Sequence, residues 1–239
     1  MSNLLERTIL ALDNMSEEEI QNFLKIHESQ IPTLKIGLEL FCKHGPDVVR
    51  RIQHSHGKNI FLDLKLHDIP NTVFKSVKSL SGLPIEFLTI HLSGGEEMIR
   101  QALEAAKEYL PNTKLLGVSY LTSLGNSDFD QNWGINEASI EDQFKRLFTL
   151  AAKTRIHGIV CSPHEAKVLK SISSEVITVC PGIRFQDEID AGNTQDQKRV
   201  LSPHDAMKSG TDYMVIGRSL TKSDRFAERI NYLESIQYS

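Results

Sequence analysis

A chain of 239 residues, 40% hydrophobic and 24% charged, has the makeup of an ordinary globular domain and excludes disordered and fibrous classes. Its formal net charge of −4 gives no global attraction to nucleic acid or to an anionic membrane. Three cysteines (Cys42, Cys161, Cys180) without CxxC spacing point to buried thiols in a reducing compartment rather than to disulfides or zinc. The sequence does not open on a basic segment followed by an apolar run, and no stretch approaches about 18 apolar residues, so a cytoplasmic protein is expected.

The first apolar run that reads as a strand, 8–13, precedes Ser16-Glu-Glu-Glu19, which fits a capping box opening a helix. Further strand-like runs fall at 33–39, 59–64 and 87–92, the last leading into an amphipathic stretch at 96–109. After the run at 114–120 comes 125–136, rich in Gly, Asn, Asp and Ser, which reads as a loop, and then a second long amphipathic stretch at 139–153. The run at 158–161 meets Ser162-Pro-His-Glu165, a capping box with proline at the first helical position. The run at 176–180 leads into a second polar loop, 185–197, and Ser202-Pro203-His-Asp205 repeats the cap-plus-proline signal before the last run at 213–217.

Eight strand–helix alternations with no composition break predict a single (β/α)₈ TIM barrel domain over residues 1–239. A doubly wound open sheet is the alternative, although eight units exceed what it usually needs. Both polar loops leave the C-terminal ends of strands, where barrel active sites are built, and the second is expected to close over a ligand.

Charge then singles out one stretch, Asp63-Leu-Lys65-Leu-His-Asp68-Ile-Pro-Asn-Thr72. Strand alternation turns Asp63 and Lys65 to one face while Leu62, Leu64 and Leu66 take the other. Burying an unpaired carboxylate or ammonium is expensive, so core packing alone would not select this pattern. In the other strands Asp13 falls at a C-terminal end, Lys35 shares a face with Gly37 and Glu39, and Thr89, His91 and Ser93 share another. Neighbouring strands lie about 4.8 Å apart, so Lys35 can approach Asp63 and Lys65. With Asp68 this makes two ammonium and two carboxylate groups of zero net charge. A structural ion-pair network closing the barrel is the competing reading. His91 reads as a hydrogen-bonded core residue before a catalytic one. The nine histidines show no HExxH or acidic cluster, which leaves a metal site without support.

The last two strand ends carry a second signal, Cys180-Pro-Gly-Ile-Arg184 and Met214-Val-Ile-Gly217-Arg218. Loops after the seventh and eighth strands of barrels often bind phosphate through backbone N–H groups. Gly217 permits close approach, and Arg184 or Arg218 can make bidentate charge-assisted contacts; tight turns with solvated arginines are the alternative.

Taken together, these residues resemble the orotidine 5′-phosphate decarboxylase family. The resemblance rests on Asp63-x-Lys65-x-x-Asp68-Ile-Pro-Asn-Thr72 and extends through Ala11-Leu-Asp13, Lys35-Ile-Gly-Leu-Glu-Leu-Phe41, His91-Leu-Ser-Gly-Gly95, Leu121-Thr-Ser123, Pro181-Gly-Ile-Arg184, Asp196-Gln197 and Ile216-Gly-Arg218. It implies decarboxylation of orotidine 5′-monophosphate (OMP) to UMP, with neither metal nor cofactor. By motif, Lys65 is implied as proton donor to C6, Asp63 as neighbour of the departing carboxylate and Lys35 as support for Asp63. Asp68 is implied to reach the active site of a second subunit in a homodimer. Asp13 and Thr72 are implied at the ribose, with Ile69 in the same substrate-binding set. Thr122 is implied near the pyrimidine, and Arg184, Gln197, Gly217 and Arg218 at the phosphate. Leu66 and Ser219 depart from residues common in bacterial relatives, aromatic and proline respectively. The rivals are a Mg²⁺-dependent sugar-phosphate decarboxylase or hexulose-phosphate synthase of the same barrel superfamily, and a noncatalytic nucleotide-binding barrel.

Overall fold

The computed structural model describes residues 3–27, 30–192 and 200–237, leaving aside the side chains of residues 137 and 138. It begins with β1 (Thr8–Ala11), α1 (Glu17–His27), β2 (Thr33–Gly37), α2 (Leu38–His44) and α3 (Asp47–His56). Next come β3 (Asn59–Leu66), α4 (Pro70–Ser79), β4 (Phe87–His91), α5 (Gly95–Tyr109) and β5 (Lys114–Val118). Then follow α6 (Asn126–Trp133), α7 (Glu137–Thr154), β6 (Gly158–Val160), α8 (Pro163–Ile172) and β7 (Ile177–Cys180). The chain continues through α9 (Gln186–Asp190), α10 (Pro203–Lys208), β8 (Tyr213–Ile216), α11 (Arg218–Thr221) and α12 (Phe226–Ser235). The eight strands pair in parallel and in chain order, and β8 returns to β1 to close the barrel. The predicted TIM barrel is the fold of the chain.

Alternation along each strand sorts the apolar side chains into two shells. Ile9, Ala11, Phe61, Phe87, Leu116, Val118, Val160, Val179 and Val215 fill the barrel interior. Their strand neighbours Leu10, Leu34, Ile36, Leu62, Leu88, Ile90, Leu115 and Ile216 face outward and pack beneath the helices. Ala11, Lys35, Phe61 and Phe87 lie in register across β1 to β4, and Gly37 pairs with Asp63 one layer nearer the C-terminal mouth. The apolar interior therefore ends where the charged residues begin.

All three cap signals form. Ser16 N donates to Glu19 Oε2 at 2.6 Å and Glu19 N returns a bond to Ser16 Oγ at 3.2 Å. Ser162 N donates to Glu165 Oε2 at 2.8 Å, and Asp205 N donates to Ser202 Oγ at 3.2 Å. Side-chain acceptors thus satisfy amide donors left open at helix starts.

Several sequence readings need correction. Most strands stop earlier than their apolar runs, so Leu38 and Glu39 open α2 and the exposed Glu39 is off the inner face. Residues 125–136 hold a helix, α6, rather than an open loop. Gly125 N donates to Asp128 Oδ2 at 2.7 Å, and Phe129 and Trp133, four apart, pack against Tyr120 with ring centroids 4.9 and 5.6 Å away. The 185–197 segment opens with α9, started by a bond from Phe185 N to Glu188 Oε2 at 3.0 Å. Cys161 and Cys180 are buried as expected, but Cys42 is exposed on α2. Among the described residues no helix is long and apolar enough to cross a membrane.

Candidate active site

The C-terminal mouth of the barrel encloses a cavity of about 350 Å³. Phe61, Val118, Val160 and Val215 form apolar walls, and Asp13, Lys35, Asp63 and Lys65 bring charge to them. Thr122, Arg184, Gly217 and Arg218 also line it. Eight of the residues named from sequence thus converge on one space.

The four charges alternate along a continuous chain. Lys35 Nζ lies 2.6 Å from Asp13 Oδ2 and 3.5 Å from Asp63 Oδ2, and Lys65 Nζ lies 2.7 Å from the same Asp63 oxygen. Asp63 and Lys35 are almost fully buried, whereas the side chain of Lys65 keeps 29% of its exposure. Burial, the largest single influence on Asp63, pushes its carboxyl up. The Lys35 and Lys65 ammonium groups, with hydrogen bonds from Lys65 and Thr89, outweigh it and hold the carboxyl below its ordinary range. A fixed anion therefore sits between two cations, with the outer cation open to the cavity.

Lys65 reaches this position through an irregular backbone. Its φ is 50°, in the left-handed region, and the β3–β4 register shifts between Leu62 and Leu66. For a non-glycine residue that conformation costs roughly 1–2 kcal/mol. Thr89 on β4 offsets the irregularity: Lys65 N donates to Thr89 Oγ1 at 2.8 Å, and the hydroxyl donates to Asp63 Oδ1 at 2.9 Å. One buried hydroxyl thus fixes both the backbone of Lys65 and the rotation of Asp63. Gly37 supplies room, because a Cβ there would stand 2.2 Å from Asp13 Oδ1.

His91, at the end of β4, stacks at a tilt 5.1 Å from His67. Burial first, then the neighbouring His67 and Lys65, push its pKa down to about 4 against the opposing pull of Asp63. Its ring is neutral beside the lysine at neutral pH.

The opposite rim is built by the strand ends after β7 and β8. Gly182 takes φ 82°, and Arg184 N donates to Leu201 O at 3.1 Å, drawing this segment back against the chain ahead of α10. Arg184 is 5% exposed and donates from Nη1 to Ile183 O at 2.8 Å.

Not every sequence candidate lies here. Asp68, Ile69 and Thr72 are exposed on the loop after β3 and the start of α4, away from the cavity lining. Asp68 Oδ1 accepts from Ile69 N at 2.7 Å. Within one chain, therefore, Asp13 rather than Asp68 completes the neutral array, because the loop carries Asp68 outward. Gln197 lies outside the described residues. Thr89 and Asn14 belong to the site without a motif to mark them. Alternation had already turned Thr89 inward, whereas nothing in the sequence marked Asn14, which has φ 59° and lines the cavity. Among the described residues, no three His, Cys, Asp or Glu side chains group as metal ligands.

Fold and site together define a (β/α)₈ barrel enzyme whose charged centre lies at the C-terminal ends of its strands. Residues 6–231 match the model of the Orotidine 5′-phosphate decarboxylase / HUMPS family, and the chain belongs to that family. The orotidine 5′-phosphate decarboxylase of Staphylococcus saprophyticus subsp. saprophyticus is 41% identical over 217 residues, covering 90% of this chain and 91% of the relative. That of Opitutus terrae is 42% identical over 216 residues, again covering 90% and 91%. The crystal structure of orotidine 5′-phosphate decarboxylase from Lactobacillus acidophilus superposes with a TM-score of 0.76 at 31% identity, covering 95% of this chain and 97% of that one. These relatives are carboxy-lyases by name.

Proposed function

We propose that this chain decarboxylates OMP to UMP and CO₂ in pyrimidine biosynthesis, as a single-domain cytoplasmic enzyme using neither metal nor cofactor. The observation that carries the reading is the Asp13–Lys35–Asp63–Lys65 chain ending on a lysine that opens to the cavity. Breaking the bond from C6 to the carboxylate releases CO₂ and leaves an electron pair at C6 in the ring plane, where no π system accepts it. The Lys65 ammonium faces that pair, transfers a proton from Nζ to C6 to complete UMP, and regains a proton from solvent. Because the ammonium is fixed by Asp63 before the bond breaks, little reorganisation accompanies the step. At an effective dielectric near 20, a unit charge about 4 Å away contributes roughly 4 kcal/mol.

Asp63 stands beside the departing carboxylate and Lys35 holds Asp63. Asp13 serves the ribose side and Thr122 the pyrimidine, while Thr72, with Ile69 on the same loop and helix start, serves the ribose side of a neighbouring site. Arg184, Gln197, Gly217 and Arg218 take the phosphate. Asp68 and Thr72, being exposed, fit a role in the site of a second copy within a homodimer. The phosphate is remote from C6, so its binding energy is available to the chemical step.

The deciding assay follows orotate absorbance after OMP is mixed with the protein, with and without EDTA. Absorbance should fall equally in both. Unchanged absorbance would overturn the proposal and leave the Mg²⁺-dependent sugar-phosphate enzymes and the noncatalytic binding barrel, and a loss that EDTA abolishes would overturn the metal-free reading. Lys65→Ala should abolish turnover while UMP still binds, and near-normal turnover would overturn the assignment of Lys65.

A further inference from the structure

Behind the arginine rim lies a second recess, of about 380 Å³, between α9, α11 and α12. Arg218 lines both this recess and the main cavity, so the two share a wall. Within the wall sits Arg229 of α12, only 7% exposed. Its Nη2 donates to Asp187 Oδ2 at 2.8 Å, its Nη1 donates to the Ser219 carbonyl and lies 3.6 Å from Glu188 Oε1, and its guanidinium covers the Phe185 ring at 4.6 Å. Arg225 holds the same Asp187 oxygen from solvent at 2.8 Å.

These partners are neighbours of the rim residues. Phe185, Asp187 and Glu188 lie within four residues after Arg184, and Ser219 follows Gly217 and Arg218. A single buried guanidinium therefore ties the chain leaving β7 to the chain leaving β8. An apolar residue could fill the space, but only a planar fork with several donors fixes a carboxylate and a carbonyl from two elements at a set spacing. Arg229 does not line the main cavity and so acts through others.

We infer that Arg229, with Asp187 as its partner, is a positioning residue: it sets the gap between the Arg184 segment and the Gly217–Arg218 turn, and with it the affinity of the rim for a phosphate monoester. The inference rests on the proposed function for the identity of the ligand. Arg229→Lys keeps the charge and loses the fork, and Asp187→Asn keeps the shape and loses the ion pair. Both should melt cooperatively while KM for OMP rises roughly ten- to hundredfold, since small displacements of binding groups have effects of that size. Turnover at saturation should fall by a smaller factor than KM rises, since part of the phosphate's binding energy serves the chemical step; inhibition by UMP and by inorganic phosphate should weaken in parallel, and inhibition by phosphate-free uridine should stay constant. Unchanged KM, or equal losses for uridine and UMP, would overturn the positioning role. If the wild-type chain does not turn over OMP, the proposed function falls, yet inorganic phosphate still decides this inference: equal phosphate affinity in wild type and both variants would refute it.

Discussion

Lys65 and Thr89 form a unit in which a strained backbone and a buried hydroxyl compensate one another. Removing the hydroxyl in Thr89→Val leaves Lys65 N without its acceptor and Asp63 without one donor, at a similar volume. Turnover is expected to fall roughly ten- to hundredfold with the fold retained, measured as kcat beside a thermal melt, because orientation is lost rather than charge. His91 makes a separate prediction about acidity. Its pKa is depressed from 6.5 in the unfolded chain to about 4 in the fold, so between those values the unfolded chain binds more protons. Stability contributed by the neutral ring is complete above 6.5 and is lost as pH falls towards 4. His91→Gln should therefore flatten the dependence of melting temperature on pH across that window. Some slope should persist, because burial also lowers the pKa values of His27 and His157. An unaltered slope would mean that His91 titrates normally in the folded protein.

At the scale of elements, β4 and β5 carry a cost at the opposite end of the barrel from the site. Glu86, just before β4, has Oε2 buried without a hydrogen-bond partner and Lys114 Nζ 3.9 Å from Oε1. Burial raises its pKa against the pull of that lysine. A raised carboxyl favours the fold when protonated, so stability is lost as pH rises from the ordinary carboxyl range through the folded pKa, and near pH 7 the buried carboxyl opposes folding. Glu86→Gln should raise stability near pH 7 by on the order of 1 kcal/mol, with the gain shrinking towards pH 4; equal melting temperatures at pH 7 would exclude this burial cost. The strands themselves were legible because a two-residue period in short apolar runs reports burial directly, and the cap at Ser162 followed from side-chain chemistry alone. Helix α6 was hidden because its Gly, Asn and Asp content matches a loop, and it is Tyr120 at the end of the preceding segment and Phe144 on the following helix that give Phe129 and Trp133 something to pack on. The charged set was readable on β2 and β3. The involvement of Asp13 and Thr89 depended on register between strands, which periodicity does not encode.

For the molecule as a whole, the exposed loop after β3 has the largest consequence. Ile69 is 66% exposed, an unusual position for a large apolar side chain, and Asp68 beside it turns away from the cavity of its own chain. A second copy that covers Ile69 would bury this surface and bring Asp68 to the mouth of the neighbouring barrel. A two-fold interface makes that exchange reciprocal, so each site would take Lys65 from one chain and Asp68 from the other. The arrangement has an arithmetic signature. Lys65→Ala and Asp68→Asn chains should each be nearly inactive alone. After mixing and subunit exchange, about half of the dimers should pair the two variants, and one site of each mixed dimer would then hold both native residues. Activity should recover to about a quarter of the wild-type value per site, and should rise with time at the rate of subunit exchange. Recovery that never exceeds the sum of the separate variants, although exchange is seen by mass spectrometry of the mixed dimers, would place Asp68 and Lys65 in the same chain's site or remove Asp68 from the chemistry altogether.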